Sequence, residues 1–153
     1  MSLISNNRIL HDYEVLERIE AGIELLGHEV KSIRASHGSL QGAYITVSAQ
    51  GNFAQATLSK AFIPPYQEKN TEESYDPYRN RNLLLKRSEI MRLSKELSIG
   101  NAGLTIVPIS MYNKGRVIKL ELALVRGKKL RDKRETLKKR QTDREIAREW
   151  KDR

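Results

Sequence analysis

The segment that most restricts the fold is 117–124, where Ile118, Leu120, Leu122 and Leu124 fall on one face and Lys119 and Glu121 on the other. Alternation of period two with charge outward is the pattern of a half-buried antiparallel strand. Residues 104–112 are apolar and β-branched, and Asn113-Lys114-Gly115 separates them from 117–124, so strand, glycine turn and strand make a hairpin. Pro108 has no amide hydrogen for a ladder, which puts it at an edge or a bulge. A second hairpin is predicted from 43–49 and 52–58 through Gln50-Gly51, and a third strand pair from 13–19 and 23–26, broken at Ala21-Gly22. Two helices interrupt the strands. Over 26–34, Leu26, Val30 and Ile33 share one face while Lys31 and Arg34 fall on another. Over 88–98, Ser88 is read as the cap, Ile90, Leu93 and Leu97 as the stripe and Gly100 as the stop. Residues 64–75 are polar and aperiodic, a long loop of the mobile or functional kind. The fold class expected is mainly β: a small antiparallel OB-like barrel with two or three helices and a basic C-terminal tail.

The tail emerges when charge is divided along the chain. The 153 residues carry a formal +9. Thirteen basic and six acidic residues fall in 126–153, an excess of +7, which leaves only +2 for 1–125. A nearly neutral folded body, 1–125, is therefore expected with 126–153 as a cationic arm, and polyanions such as RNA are the natural partner. A body of this length buries a real core without staples. The absence of cysteine removes disulfides, thiolate metal sites and a cysteine nucleophile, and fits a reducing cytosol. No apolar run approaches a membrane span of about 20 residues, so a soluble, cytoplasmic monomer with no membrane partner is expected.

Catalysis lacks a constellation. His11, His28 and His37 have no metal-ligand spacing, and His28 and His37 read as exposed positions flanking a helix, so no metal is expected. Neither GxGxxG nor GxxxxGK[ST] occurs, and Glu72-Glu73 sits side by side in a polar loop rather than in an apolar site suited to acid–base work, so no cofactor or enzymatic role is expected. A ribonuclease would need His11 and a second acid–base group in one cleft. Arg79, Arg81, Lys86 and Arg87 cluster beside Tyr75 and Tyr78, either as a solvated surface or as a set that pairs with phosphates and stacks on unpaired bases. These features alone leave open a generic OB-type ribosomal or translation factor binding structured RNA, or a basic partner-binding helix in the tail.

Five blocks narrow the choice. Gly27-His28-Glu29-Val30-Lys31-Ser32-Ile33-Arg34 resembles the GxEVKSxR signature of the SsrA-binding protein (small protein B) family, the bacterial partners of transfer-messenger RNA. Asn7-Arg8-Ile9-Leu10-His11-Asp12-Tyr13 and Glu20-Ala21-Gly22 are similar to that family's N-terminal motifs. Asp76-Pro77-Tyr78-Arg79-Asn80-Arg81-Asn82-Leu83-Leu84-Leu85 resembles its DPxRxRKLLL block, and Gly127 to Arg134 its GKKxxDKR junction. The blocks run in order from about residue 7 to 134. The resemblance implies an OB-type barrel that catalyses nothing, binds the tRNA-like domain of transfer-messenger RNA (tmRNA), supports its alanine charging and delivers it to stalled ribosomes. In trans-translation this rescues the ribosome and tags the incomplete peptide. The family's C-terminal arm is disordered when free and helical in the vacant mRNA channel beside the decoding centre.

Carried over residue by residue, the resemblance implies an RNA-facing set of Asn7, Arg8, His11, Glu20, Lys31, Arg34, Arg79 and Arg81. Glu20 is the unexpected member, since a carboxylate repels phosphate and must instead accept from base edges or orient a neighbouring cation; its other reading is a salt bridge at a strand end. The ribosome-binding tail would comprise Lys128, Lys129, Arg131, Asp132, Lys133, Arg134, Lys138, Arg140, Ile146 and Trp150. Two positions depart from the family pattern. Arg131 stands where His or Tyr is common, replacing a stacking ring by a guanidinium plane, and Asn82 stands where Lys is usual. The tail itself is rich in Arg, Lys and Glu, good helix formers, but its apolar residues are too sparse for a core stripe, so it is expected to be disordered or partly helical when free and to order on a partner. Fully helical, its 28 residues would reach about 42 Å at about 1.5 Å per residue.

Overall fold

The computed structural model describes residues 2–67, 69, 72–99 and 103–127. Among the described residues, seven strands and three helices follow in the order β1 (Ser2–Ser5), α1 (Ile9–Asp12), β2 (Tyr13–Ile23), α2 (Gly27–Arg34), β3 (Tyr44–Gln50), β4 (Phe53–Ser59), β5 (Arg81–Leu84), α3 (Arg87–Ser98), β6 (Leu104–Lys114) and β7 (Val117–Gly127). All pairings are antiparallel. The order β6-β3-β4-β5-β2-β7 returns to β6 through the β6–β7 hairpin and closes a six-stranded barrel, with β1 laid beside β6. Closure removes the exposed sheet edges that invite aggregation.

The hairpin built on 104–124 is the frame. β7 pairs along the whole of β6, from Leu104 opposite Arg126 to Lys114 opposite Val117. On its other edge β6 meets β3 at Ile106 and β1 at Ser110 to Tyr112. Pro108 lies in the gap between those two partners, and the register shifts between Pro108 and Ser110, so the expected bulge is present where no amide hydrogen is needed. Ile118, Leu120, Leu122 and Leu124 all point into the core. There they meet Ile19, Ile45, Leu58 and Ile106 from other strands, Ile33 from α2 and Ile90 and Leu93 from α3. A smaller cluster lies on the outer surface, where Ile9 of α1 covers Val107, Ile109, Ala123 and Val125.

The third strand pair is corrected. Ala21-Gly22 does not break a hairpin; β2 runs unbroken to Ile23 and pairs with β7 on one side and β5 on the other. Gly22 serves close packing instead, since a Cβ there would stand 3.1 Å from the Cβ of Leu84. Leu26 is not part of the buried face of α2 but its N-cap, 45% exposed. Ser88 is not the cap of α3, which starts one residue earlier after Lys86 with no side-chain cap bond. The proposed stop at Gly100 lies outside the described residues. β7 continues through Arg126 and Gly127, and the rest of the 126–153 arm lies outside the described residues.

Candidate nucleic-acid interface

The surface of α2 is set by a buried acid beneath it. Glu29 and Arg81 are both 0% exposed. Glu29 accepts from Arg79 at both oxygens, from Arg81 Nε at 2.8 Å and from the Tyr75 hydroxyl at 2.8 Å. It also reaches back to the Leu26 amide at 2.8 Å, closing the first turn of α2. Burial pushes the Glu29 carboxyl up, but the bonds from Arg79, the Leu26 amide, Arg81 and Tyr75 outweigh it and hold the group at about 2. Burial and the adjacent carboxylate push the Tyr75 phenol up to about 12. Arg81 spends all five of its N–H donors, on Glu29, the Ala61, Arg79 and Pro77 carbonyls and the Tyr75 hydroxyl. Ser32 adds a bond from its hydroxyl to the Pro64 carbonyl at 2.6 Å. The ring of His28 stands edge-on to Tyr75 at 4.5 Å, so this histidine is half-buried in the joint rather than exposed as expected, while His37 is exposed. These bonds clamp Ala61, Pro64, Tyr75 and 77–81 against α2 and leave Lys31 and Arg34 exposed on its outer side.

Arg34 donates to the Arg116 carbonyl at 2.8 Å, which brings the end of α2 to the tip of the β6–β7 hairpin. Next to that tip, on β2, Glu20 accepts from Lys114 Nζ at 2.9 Å and from the Tyr112 hydroxyl. Hydrogen bonds from Tyr112 and Lys114 hold the Glu20 carboxyl below the usual carboxylate range, and burial with the Glu20 carboxylate pushes Tyr112 up to about 12. Lys31, Arg34, Lys114 and Arg116 therefore stand as exposed cations at one end of the barrel, with one carboxylate among them.

The SmpB protein family matches residues 3–152 of the chain. The SsrA-binding protein of Chlorobaculum tepidum is 46% identical over 147 residues, 95% of this chain and 89% of its own length. That of Deinococcus radiodurans is 45% identical over 142 residues, 93% of this chain and 94% of its own. A solved chain from work described as "tmRNA-SmpB: a journey to the center of the bacterial ribosome" is 38% identical, covers 82% of this chain and 84% of its own, and superimposes with a TM-score of 0.64. The chain belongs to the SmpB family.

On this SmpB-family barrel the expected RNA-facing residues divide. Glu20, Lys31 and Arg34 gather at the hairpin-tip end. Asn7, Arg8 and His11 are exposed around α1, just ahead of Tyr13, whose partner in β7 is Gly127. Glu20 lies seven positions along β2 from Tyr13, or about 23 Å at about 3.3 Å per residue. This second group thus flanks the end of the barrel from which the arm departs, and Arg8 lines a cavity of about 480 Å³ there with Tyr13, Tyr44 and Val107. Arg79 is turned inward onto Glu29, with its side chain 30% exposed. Arg81 is corrected outright: it is buried beneath α2 with no donor left for phosphate. Lys128, Lys129, Arg131, Asp132, Lys133, Arg134, Lys138, Arg140, Ile146 and Trp150 lie outside the described residues.

Glu29, Tyr112, Lys114 and Arg116 were not singled out from the sequence, whereas Tyr75, expected with Arg79 and Arg81 either on a solvated surface or stacked on bases, is half-buried against Glu29. Glu29 could have been. It falls on the same helical stripe as Leu26 and Ile33, and an acid on an apolar face requires a cation. Arg79 and Arg81, two apart, supply two on one face of an extended segment.

Proposed function

We propose that the chain is an RNA-binding adaptor that binds the tRNA-like domain of tmRNA and delivers it to stalled ribosomes for trans-translation, with no reaction of its own. The observation that carries this reading is the family match over residues 3–152, body and arm together. The geometry supports it. A rigid barrel presents a few exposed cations on α2 and the β6–β7 hairpin, and the body's small net charge means that recognition depends on where they are held. The arm, 126–153, supplies the electrostatic hold on the ribosome, in the decoding centre and mRNA channel, and becomes helical there. Among the described residues no helix is long and apolar enough to cross a membrane, and we assign the chain to the cytoplasm, where ribosomes stall.

The test is the affinity for tmRNA and for ordinary tRNA at roughly 50 and 200 mM salt. A preference for tmRNA that persists at the higher salt is expected. Equal affinities with a steep salt slope would leave only non-specific attraction between cations and phosphates, and would refute the adaptor reading.

A further inference from the structure

Glu20 lies directly opposite Glu121 in the β2–β7 register, two like charges in a place that destabilises a sheet. Each is met by its own partners. Arg18 stands 3.2 Å from Glu121, and the Ser110 hydroxyl donates to it at 3.4 Å. Glu20 takes Lys114 on Oε1 and Tyr112 on Oε2, both from β6 across the intervening strand β7. Both carboxylate oxygens thus already hold a donor from the protein. The Lys114 ammonium has three N–H donors and gives one to Glu20, so two remain on a side chain 64% exposed. From the other side Arg34 of α2 grips the Arg116 carbonyl. The hairpin tip is therefore tied to β2 through Lys114 and to α2 through Arg116.

We propose that Glu20 serves RNA binding as a positioning residue: it holds Lys114 and Tyr112 in place, and Lys114 makes the contact to an RNA phosphate. The inference rests on the adaptor reading and assigns to that surface a cation outside the set expected from sequence. It also resolves why a carboxylate sits on a phosphate-binding face. An unpaired carboxylate there repels RNA, whereas one that anchors an ammonium fixes a cation that would otherwise sample many rotamers on its four-carbon stem.

A double-mutant cycle on the full chain tests this, with tmRNA as ligand over a series of salt concentrations. Glu20→Gln and Lys114→Met are each expected to weaken binding by about tenfold, the loss of one charge-assisted contact. Each should also make the salt slope shallower by about 0.7–0.9, the release of one phosphate contact. A change that merely loosened the fold would not move that slope in this way. The double variant should bind no worse than the weaker single one, because both substitutions break the same contact. Multiplied losses, about a hundredfold in the double variant, would mean that Glu20 meets RNA on its own account and would overturn the inference. So would an unchanged affinity in Lys114→Met. Wild-type chain with no preference for tmRNA over tRNA would overturn the adaptor reading and this inference with it, whereas multiplied losses on a wild type that keeps the preference overturn the inference alone.

Discussion

Replacing Glu29 by glutamine removes the charge that two arginines share while keeping the shape of the side chain and an oxygen for the Leu26 amide. Arg81 cannot turn to water, being 0% exposed and held by three carbonyls and the Tyr75 hydroxyl, so its charge is left buried and uncompensated. Breaking a buried pair in this way costs about 3–5 kcal/mol. The ionisation of Glu29 gives an independent figure. Its carboxyl is lowered from 4.5 to about 2 in the fold, which corresponds to roughly 3 kcal/mol of stability at neutral pH. Because the folded value is depressed, that stability is fully present above about 4.5 and is lost as pH falls towards 2. Thermal unfolding followed by circular dichroism should therefore show Glu29→Gln melting roughly 10 °C below wild type at pH 7. The gap should shrink steadily between pH 4.5 and pH 2, as the wild-type carboxyl takes up its proton. A difference under about 3 °C at pH 7, or one that does not change with pH, would refute the assignment of Glu29 as the anchor of α2.

Other substitutions separate buried from exposed interactions. Tyr75→Phe removes the hydroxyl that lies between Arg81 and Glu29 and should cost about 1–3 kcal/mol in urea unfolding, with the slope unchanged. Arg92→Ala breaks a two-pronged pair with Glu17 whose side chains are about 40% exposed, and should change stability by less than about 1 kcal/mol in the same assay. Gly38→Ala should be far worse than its size suggests, about 2 kcal/mol or more. Its φ is +137°, and the new Cβ would lie 2.9 Å from the Phe62 carbonyl oxygen in the bridge that joins Ser39 to Phe62.

What was legible in the sequence follows from which forces act locally. The β6–β7 and β3–β4 hairpins were readable because alternation and a glycine turn are properties of adjacent residues. β1 and β5, four residues each, and the single turn of α1 carry too few positions to show a period. Gly22 resembled a breaker because glycine has two uses, and only the fold reveals Leu84 against it. Arg81 was placed on the surface because charge usually is, and its burial depends on Glu29, 52 residues away. The candidate interface was legible to the same extent. Lys31 and Arg34 could be placed on the outer side of a helix from spacing alone, while Lys114 and Tyr112 reach Glu20 only through a three-strand register that no local pattern encodes.

The adaptor account is tested most directly by a reconstituted translation reaction stalled on a message without a stop codon and supplied with charged tmRNA. Two proteins should be compared in it, the full chain and a chain lacking residues 130–153, with tmRNA affinity measured in parallel. The account predicts that the full chain supports tagging of the stalled peptide, while the shortened chain binds tmRNA with nearly unchanged affinity and yields no tag. Tagging at the same level with no protein added would contradict the account, and so would a shortened chain that loses tmRNA binding together with tagging.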